Sequence, residues 1–390
     1  MRKFIYIVFA AALFATSCEQ EQPVVDNGKL PIHYGYMQFS TEVSTRAQLV
    51  TDMKGKSFGV MGYQYSPTTN WATAKPVTAP MADFYNLEVT CADNGNCAYD
   101  AFPTDDSKDL KEWEDSNYSF FAYYPKDGAG ITRSEKTATN TPTLTYTYPW
   151  LNGSGKDWFK ESYSTVNTKG EVVKLDVVRL YHEEVPVYDL MTAEAVDVNG
   201  RGSGKVGLDF KHRMFALEVL ANNYNENTEG KTDAREFISG LVLTLKGLKH
   251  SSMIIPMSMQ GGEEAPSYDG IEPGTRNFLI SDPEEMVVVP AFNETYEGRG
   301  EGVPTSISKL GSNNGGYLML IPQTTGLEGA LYWKELSNFP GTVATTFSSG
   351  IEFKAGRLYQ LYINYAGDGI TIALIEAGAW DVFDVEHKFE

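Results

Sequence analysis

The chain has 390 residues and a formal net charge of −19 at pH 7. A protein this acidic repels the phosphate backbone of nucleic acids and anionic lipid headgroups, so we expect neither as a docking partner. Hydrophobic residues make up 42% of the chain and aromatic residues 13%, which excludes a disordered chain and allows sizeable cores. The composition suits an exposed extracellular surface.

The N-terminus up to Cys18 indicates export. Arg2 and Lys3 form a basic start, residues 4–14 form an apolar run, and small residues then precede Cys18. This order resembles a bacterial lipoprotein signal, in which residues 1–17 are removed and Cys18 is lipidated. An ordinary signal peptide with a coincidental cysteine is the alternative. No later stretch is long and apolar enough to span a membrane, so the lipid would be the membrane anchor.

Residues 36–46 alternate between apolar and polar side chains, a period typical of a half-buried strand. Arg46 and Ala47 end this segment, and the bond between them is of the kind that trypsin-like proteases cleave. Residues 18–46 are therefore predicted to be a tether followed by a removable strand. The positions on the apolar side are Met37, Phe39, Thr41 and Val43.

From residue 47 onward, strand signals separated by turn-rich loops predict an all-β fold. Residues 85–91 and 97–102 form a predicted hairpin, with an Asn-Gly turn signal between them. Cys91 and Cys97 lie at its end, and in an oxidising compartment we expect a disulfide between them. Zinc is a poor alternative, because the spacing differs from that of a zinc knuckle and no histidine is near.

The Gly-rich stretch at 199–205 is the predicted boundary between two domains, residues 47–203 and 204–369. Residues 326–338 predict a strand followed by a short helix. The C-terminal residues 383–389 alternate between apolar and polar side chains, as the N-terminal strand does. Further strands are predicted at 57–63, 118–124, 206–210, 214–220, 237–245, 286–290, 317–321, 357–365 and 370–375.

Motifs for catalysis are missing from the sequence. There is no HExxH, GxSxG or Walker A pattern, so we expect no enzymatic activity and no cofactor. Gly202, Gly204 and Gly207 match a dinucleotide-binding pattern, but a strand rather than a helix follows them. The histidines lack metal-ligand spacing, and His212 suits a packed position at a strand end. The carboxylates at 105–109 suit a solvated loop, with a calcium site as the alternative.

Several short segments along the chain carry a family resemblance. They are the lipoprotein signal ending at Cys18 and residues 44–47, 118–125, 189–193, 210–214, 320–323, 353–359 and the terminal strand at Trp380. Together and in this order, they resemble the fimbrillin family, the type V pilins of Gram-negative anaerobes. The resemblance spans nearly the whole chain.

The resemblance implies two tandem transthyretin-like β-sandwich domains with long loops and few short helices. It implies a lipoprotein of the outer membrane and cell-surface fimbrium, cleaved at Arg46–Ala47 by an extracellular Arg-specific protease. Losing residues 18–46 then opens a groove, which the C-terminal strands of another pilin subunit, residues 370–390, fill. The residues assigned to the donor strand are Trp380, Phe383, Val385 and Phe389.

A monomeric glycan-binding surface lipoprotein is the alternative function. The chain holds 23 tyrosines and 6 tryptophans, which are able to stack on sugars. Trp71, Trp150 and Trp158 sit beside turn residues, which predicts exposed loop positions. No spacing among them selects a sugar site.

Overall fold

The fold is known from a computed structural model, which describes most of the chain between residues 38 and 379. The described ranges are 38–43, 52–74, 78–93, 97–99, 111, 113–135, 142–151, 161–166, 171–179, 189–200, 205–223, 236–257, 266–269, 274–279, 287–289, 305–306, 318–324, 326, 328–335, 341–348, 350–366 and 369–379.

Strands dominate these residues, with one short helix, α1 (Trp71–Ala74), and 3-10 turns at Ala82–Phe84 and Pro149–Leu151. The all-β prediction is confirmed. The strands are β1 Gln38–Val43, β2 Ser57–Tyr65, β3 Tyr85–Cys91, β4 Cys97–Tyr99, β5 Asn117–Tyr124, β6 Ile131–Arg133, β7 Thr143–Thr147, β8 Glu161–Val166, β9 Val172–Arg179, β10 Met191–Asn199, β11 Lys205–His212, β12 Phe215–Asn223, β13 Glu236–Leu248, β14 Ser252–Pro256, β15 Ser267–Asp269, β16 Gly274–Leu279, β17 Val287–Val289, β18 Thr305–Ser306, β19 Leu318–Leu320, β20 Glu328–Glu335, β21 Gly341–Ser348, β22 Arg357–Ala366 and β23 Gly369–Ala379.

Seven strands close into a barrel in the order β1, β11, β10, β5, β2, β3, β4. The other strands form three sheets. One has the order β18, β12, β22, β23, with β19 also paired to β12. A second has the order β21, β20, β13, β16, β9, β8, with β17 also paired to β13, and the third has the order β15, β14, β7, β6.

The centre of the barrel wall is formed by β2 and β5, which are buried on both faces. Phe58 and Phe120 point into the barrel core, whereas Tyr63 and Phe121 belong to a second core outside it. A strand that is covered on both sides needs apolar residues at successive positions rather than at alternate ones. The aromatic run at 118–124 meets that requirement, which explains its composition.

The second core draws residues from both halves of the chain. Tyr148 and Leu190 lie in it together with Phe215, Leu243 and Tyr359. This cluster joins the barrel to the sheets that follow it. Among the described residues, no helix has the length and apolar character that crossing a membrane requires.

Strand pairing crosses the domain boundary that was predicted at residue 203. β11 follows that position but pairs with β1 and β10 in the barrel. β7 and β9 precede it but pair with β14 and β16. The Gly-rich stretch therefore links two strands of one barrel, because pairing is decided by distant partners rather than by local composition. The organisation as two tandem sandwiches stays a prediction.

Candidate assembly site

The position of β1 defines a candidate site, which we call the first-strand site: the edges of β11 and β4 between which β1 lies. β1 runs parallel to β11 along its whole length, from the pair Gln38–Lys205 to the pair Val43–Phe210. On its other side it pairs with β4 at one position, Phe39–Cys97. β1 thus closes the barrel through pairing with strands that are distant in sequence.

The β11 side of the site is built on an alternating strand. Val206, Leu208 and Phe210 are buried in the barrel core, and Gly207 and Asp209 between them are exposed. Phe210 packs edge-on against Phe58 of β2, with ring centroids 5.1 Å apart. In the register, the buried positions are opposite Phe39, Thr41 and Val43. These are three of the four residues that the sequence assigned to the apolar side.

The β4 side of the site is a strand of three residues held by a disulfide. The structure joins Cys91 of β3 to Cys97 of β4, and the two residues are also register partners. Tyr99 at the other end of β4 is buried, and its hydroxyl accepts a hydrogen bond from the Lys111 N–H at 3.2 Å. Burial raises the pKa of Tyr99 to about 12. A short edge strand is thereby fixed at both of its ends.

A buried hydrogen-bonded pair marks the far end of β11. The His212 Nδ1 lies 2.7 Å from the Asp189 Oδ1, and both side chains are almost completely buried. Burial raises the pKa of the Asp189 carboxyl above its ordinary value, and the hydrogen bond to His212 acts in the opposite direction. The packed position predicted for His212 at a strand end agrees with this arrangement.

Arg213 directly follows β11 and hydrogen-bonds to residues at the start of β10. Its backbone N–H donates to the Leu190 carbonyl at 2.8 Å, and its Nε donates to the Thr192 hydroxyl at 2.6 Å. Burial lowers the pKa of Arg213. Two of the segments that carried the family resemblance, 189–193 and 210–214, are therefore neighbours that fix one end of the first-strand site.

The resembling segments of the second half meet just beyond Arg213. The Gly356 N–H donates to the Met214 carbonyl at 2.8 Å, with Gly356 at a φ of +68° that favours glycine. Phe353 stacks on Phe215 at 4.7 Å and exchanges two backbone hydrogen bonds with Gln323. Residues 320–323 and 353–359 thus surround the start of β12.

β23 ends close to the connection between β11 and β12. It is antiparallel to β22 from the pair Ala366–Gly369 to the pair Arg357–Ala379. Arg357 follows Gly356, whose N–H is hydrogen-bonded to Met214, the last residue before β12. β23 therefore ends at Ala379 beside the far end of the first-strand site.

One family model, described as fimbrillin-like, matches residues 45–380. The chain belongs to the fimbrillin-like family. The matched region excludes β1 and residues 381–390. This is a family of structural fimbrial and adhesion proteins rather than enzymes, and membership implies a position at the cell surface.

One solved structure shares the fold of this fimbrillin-like chain. A fimbrial protein from Bacteroides vulgatus is 16% identical over 88% of this chain and 99% of its own, with a TM-score of 0.54. A putative cell adhesion protein from Bacteroides ovatus is 15% identical over 90% of this chain and 99% of its own, with a TM-score of 0.48. A search of curated proteins gives no match.

Several predicted site residues of this fimbrillin-like chain lie outside the described residues. They are Cys18, Arg46, Ala47, Trp380, Phe383, Val385 and Phe389. Arg46 and Ala47 nevertheless fall between β1, which ends at Val43, and the next described residue, Asp52. The segment that joins β1 to the rest of the chain therefore contains the predicted cleavage bond.

The expected exposure of the tryptophans is wrong for Trp71. Trp71 is 4% exposed, begins α1 and packs against Tyr63 with ring centroids 4.9 Å apart. Trp150 is half-buried and stacks on Tyr148 at 4.4 Å, and Trp158 lies outside the described residues. The polar neighbours of Trp71 misled the prediction, because Tyr63 and Phe121, which lie on other elements, pack against its ring.

Asp197, which the sequence did not single out, binds the backbone at the start of α1. It lies at an irregularity of β10 with a φ of +56°, and its Oδ1 accepts from the Trp71 N–H and the Tyr65 hydroxyl at 2.7 Å each.

The described residues of this fimbrillin-like chain contain no group of three or more side chains able to hold a metal ion.

Proposed function

We propose that this chain is a polymerising subunit of a cell-surface fimbria that serves adhesion and biofilm formation. It is exported as an outer-membrane lipoprotein anchored through Cys18. An extracellular Arg-specific protease then cuts after Arg46. Finally, the C-terminal tail of another pilin subunit enters the first-strand site in place of β1.

The observation that carries this proposal is the way in which β1 is attached. β1 completes a closed barrel, yet it lies at the N-terminal end of the described chain, with Arg46 just after it. One cut after Arg46 separates β1 from every other strand. Its departure leaves the edges of β11 and β4 facing one another without a partner, and such edges accept added strands.

The energetics favour refilling of the site. The buried positions of β11 are Val206, Leu208 and Phe210, whose register partners on β1 are residues 39, 41 and 43. If an incoming strand buries three apolar side chains at about 1.5–3 kcal/mol each, the gross gain is about 5–9 kcal/mol before ordering costs. Backbone hydrogen bonds along β11 add to this gain.

The pairing of β23 supports a shorter donor segment than residues 370–390. Residues 370–379 are already paired in β23 with β22 of the same chain. The proposed donor is therefore the tail from residue 380 to residue 390, with Phe383, Val385 and Phe389 as its apolar positions. The tail has eleven residues and β11 has eight. Since an extended residue spans about 3.3 Å, the extended tail is long enough to pair along the whole of β11.

Cleavage is tested with the purified full-length chain and an Arg-specific protease. We expect the wild type to lose residues up to Arg46 and to form filaments, detected by N-terminal sequencing, ladders on gels and electron microscopy. Arg46→Ala should abolish both. Arg201→Ala, in the Gly-rich stretch, is the matched control and should assemble normally. Unchanged ladders in Arg46→Ala would contradict the cleavage step.

The donor role is tested by deleting residues 380–390. We expect a folded protein that the protease still processes and that forms no polymer by itself. It should still accept a tail from the intact chain and so cap growing filaments. Normal fibres from the deletion variant would refute the donor assignment.

Lipidation is tested in cells. Cys18→Ala should abolish incorporation of labelled palmitate and move the protein out of the outer-membrane fraction. Retained label in this variant would show that Cys18 is not the modified residue.

A further inference from the structure

The exposed side of β11 in the first-strand site carries charged residues of both signs. Gly207, Asp209 and Lys211 are exposed, whereas the residues between them are buried. Lys205 lies two residues before Gly207 in the sequence. Read at every second residue from Lys205, the sequence of β11 is positive, neutral, negative, positive.

The present occupant does not match this pattern. The register places Gln38 opposite Lys205, Ser40 opposite Gly207 and Glu42 opposite Asp209. β1 thus has no complementary charge along β11, and it has one like-charge position. Two carboxylates at directly opposed positions of neighbouring strands repel one another. This weakens the association of β1 with its own barrel.

The C-terminal tail carries the opposite pattern. Its polar positions also recur every second residue, and they read negative, negative, positive, negative. These positions are Asp384, Glu386, Lys388 and Glu390. Lys388 is the tail's one basic residue after Trp380.

We propose that the tail of a second copy enters the first-strand site parallel to β11, with Lys388 opposite Asp209. This inference rests on the proposed strand exchange. In this register Asp384 is opposite Lys205, and Glu390 is opposite Lys211. All three charged positions of β11 then meet an opposite charge.

Other registers satisfy fewer positions. Moving the tail two residues along β11 in one direction puts Glu386 opposite Asp209 and Lys388 opposite Lys211, which are both like-charge pairs. An antiparallel tail with Lys388 at Asp209 gains Glu386 opposite Lys211, but Asp384 then lies beyond the end of β11 at His212. The parallel register therefore has the most complementary pairs and no repulsive one.

The buried side of the tail fits the same register. Val385, His387 and Phe389 fall opposite Val206, Leu208 and Phe210, the positions that β1 matches with Phe39, Thr41 and Val43. The tail and β1 thus each have a polar residue opposite Leu208, between two apolar residues. Apolar burial supplies most of the affinity, and the exposed charges select the register and favour the tail over β1.

The test uses the full-length chain, cleaved with an Arg-specific protease and assembled into filaments. The rate at which subunits leave the filaments on dilution is compared for wild type, Lys388→Asp and the double variant Asp209→Lys/Lys388→Asp. We expect Lys388→Asp to raise this rate roughly two- to tenfold and the double variant to restore it at least partly. High salt should reduce the difference, because exposed charges are screened.

Direction is tested by disulfide trapping between copies. Lys211→Cys with Glu390→Cys should cross-link in filaments, whereas Lys211→Cys with Glu386→Cys should not. Cross-linking of the second combination alone would establish an antiparallel tail and overturn the proposed register. If the wild type forms filaments and the charge variants dissociate from theirs at the same rate, the proposed register is overturned while strand exchange is left intact. A cleaved wild type that forms no filaments would overturn both.

Discussion

β5 and β1 are strands of the same closed barrel, but they are held in different ways. β5 is paired along its length with β2 on one side and with β10 on the other, and both of its faces are buried. β1 is paired fully with β11 and at one position with β4. One side of the barrel is therefore paired along both strand edges, and the other side is paired along one edge only. We expect stability to be concentrated in the fully paired side.

The largest effect is expected from Phe120→Ala in β5. Phe120 is fully buried and packs against Phe84 and Trp113. Its truncation leaves a cavity and should cost about 3–5 kcal/mol in the free energy of unfolding, measured by denaturant titration. Val172→Ala, at a position 75% exposed, is the control and should change it by less than about 0.5 kcal/mol. A small loss from Phe120→Ala would break the comparison.

A smaller effect is expected from replacing both Cys91 and Cys97 by serine. A disulfide that closes a loop this short contributes about 2 kcal/mol in the chain-entropy model. The loss should be local, because the disulfide fixes β4 beside β1. Hydrogen exchange should accelerate in β3 and β4 and change little in β5. Uniform acceleration across the barrel would show that its two sides unfold together.

Tyr118→Phe in β5 removes the hydrogen bond from the Glu114 N–H at every pH and should also change how stability depends on alkaline pH. Burial raises the pKa of Tyr118 to about 12, from an ordinary value of 10.0. The folded state therefore binds more protons than the unfolded state between these values, and stability falls as pH rises from 10 to 12. Tyr118→Phe should flatten this decline in unfolding titrations at a series of pH values. An unchanged decline would show that other groups cause it.

The smallest effect is expected from Glu376→Gln on β23. Glu376 forms an ion pair with Arg357 at 3.6 Å, and both side chains are more than a third exposed. Exposed pairs of this kind contribute about 0–1 kcal/mol. Denaturant titration should therefore show little change, and so should filament assembly. A large loss would show that this pair positions the root of the tail.

Local patterns in the sequence were enough to predict many of the strands. Alternation located β1, the Asn-Gly signal located the β3–β4 hairpin, and the aromatic run located β5. The helix expected within 326–338 is replaced by strand up to Glu335, where β20 ends. Strands β6 to β9 were not predicted, because short amphipathic strands look like loops when their partners are unknown.

Pairing was beyond the reach of local patterns. Alternation shows that β11 has one buried side, but it does not show that its partners are β1 and β10. For that reason the sequence assigned β11 to the second domain. The burial of Trp71 likewise depends on Phe121, fifty residues away in the chain. Of the site, the sequence located β1 and the cysteines but not the parallel edge of β11.

The proximity of the tail's root to the end of β11 has a mechanical consequence for a fimbria under tension. In the proposed fimbria, tension from a neighbour's tail on β11 would reach the chain's own tail through the ends of β12, β22 and β23. Three adjacent strands span about 10 Å. The load path through each subunit would therefore be short.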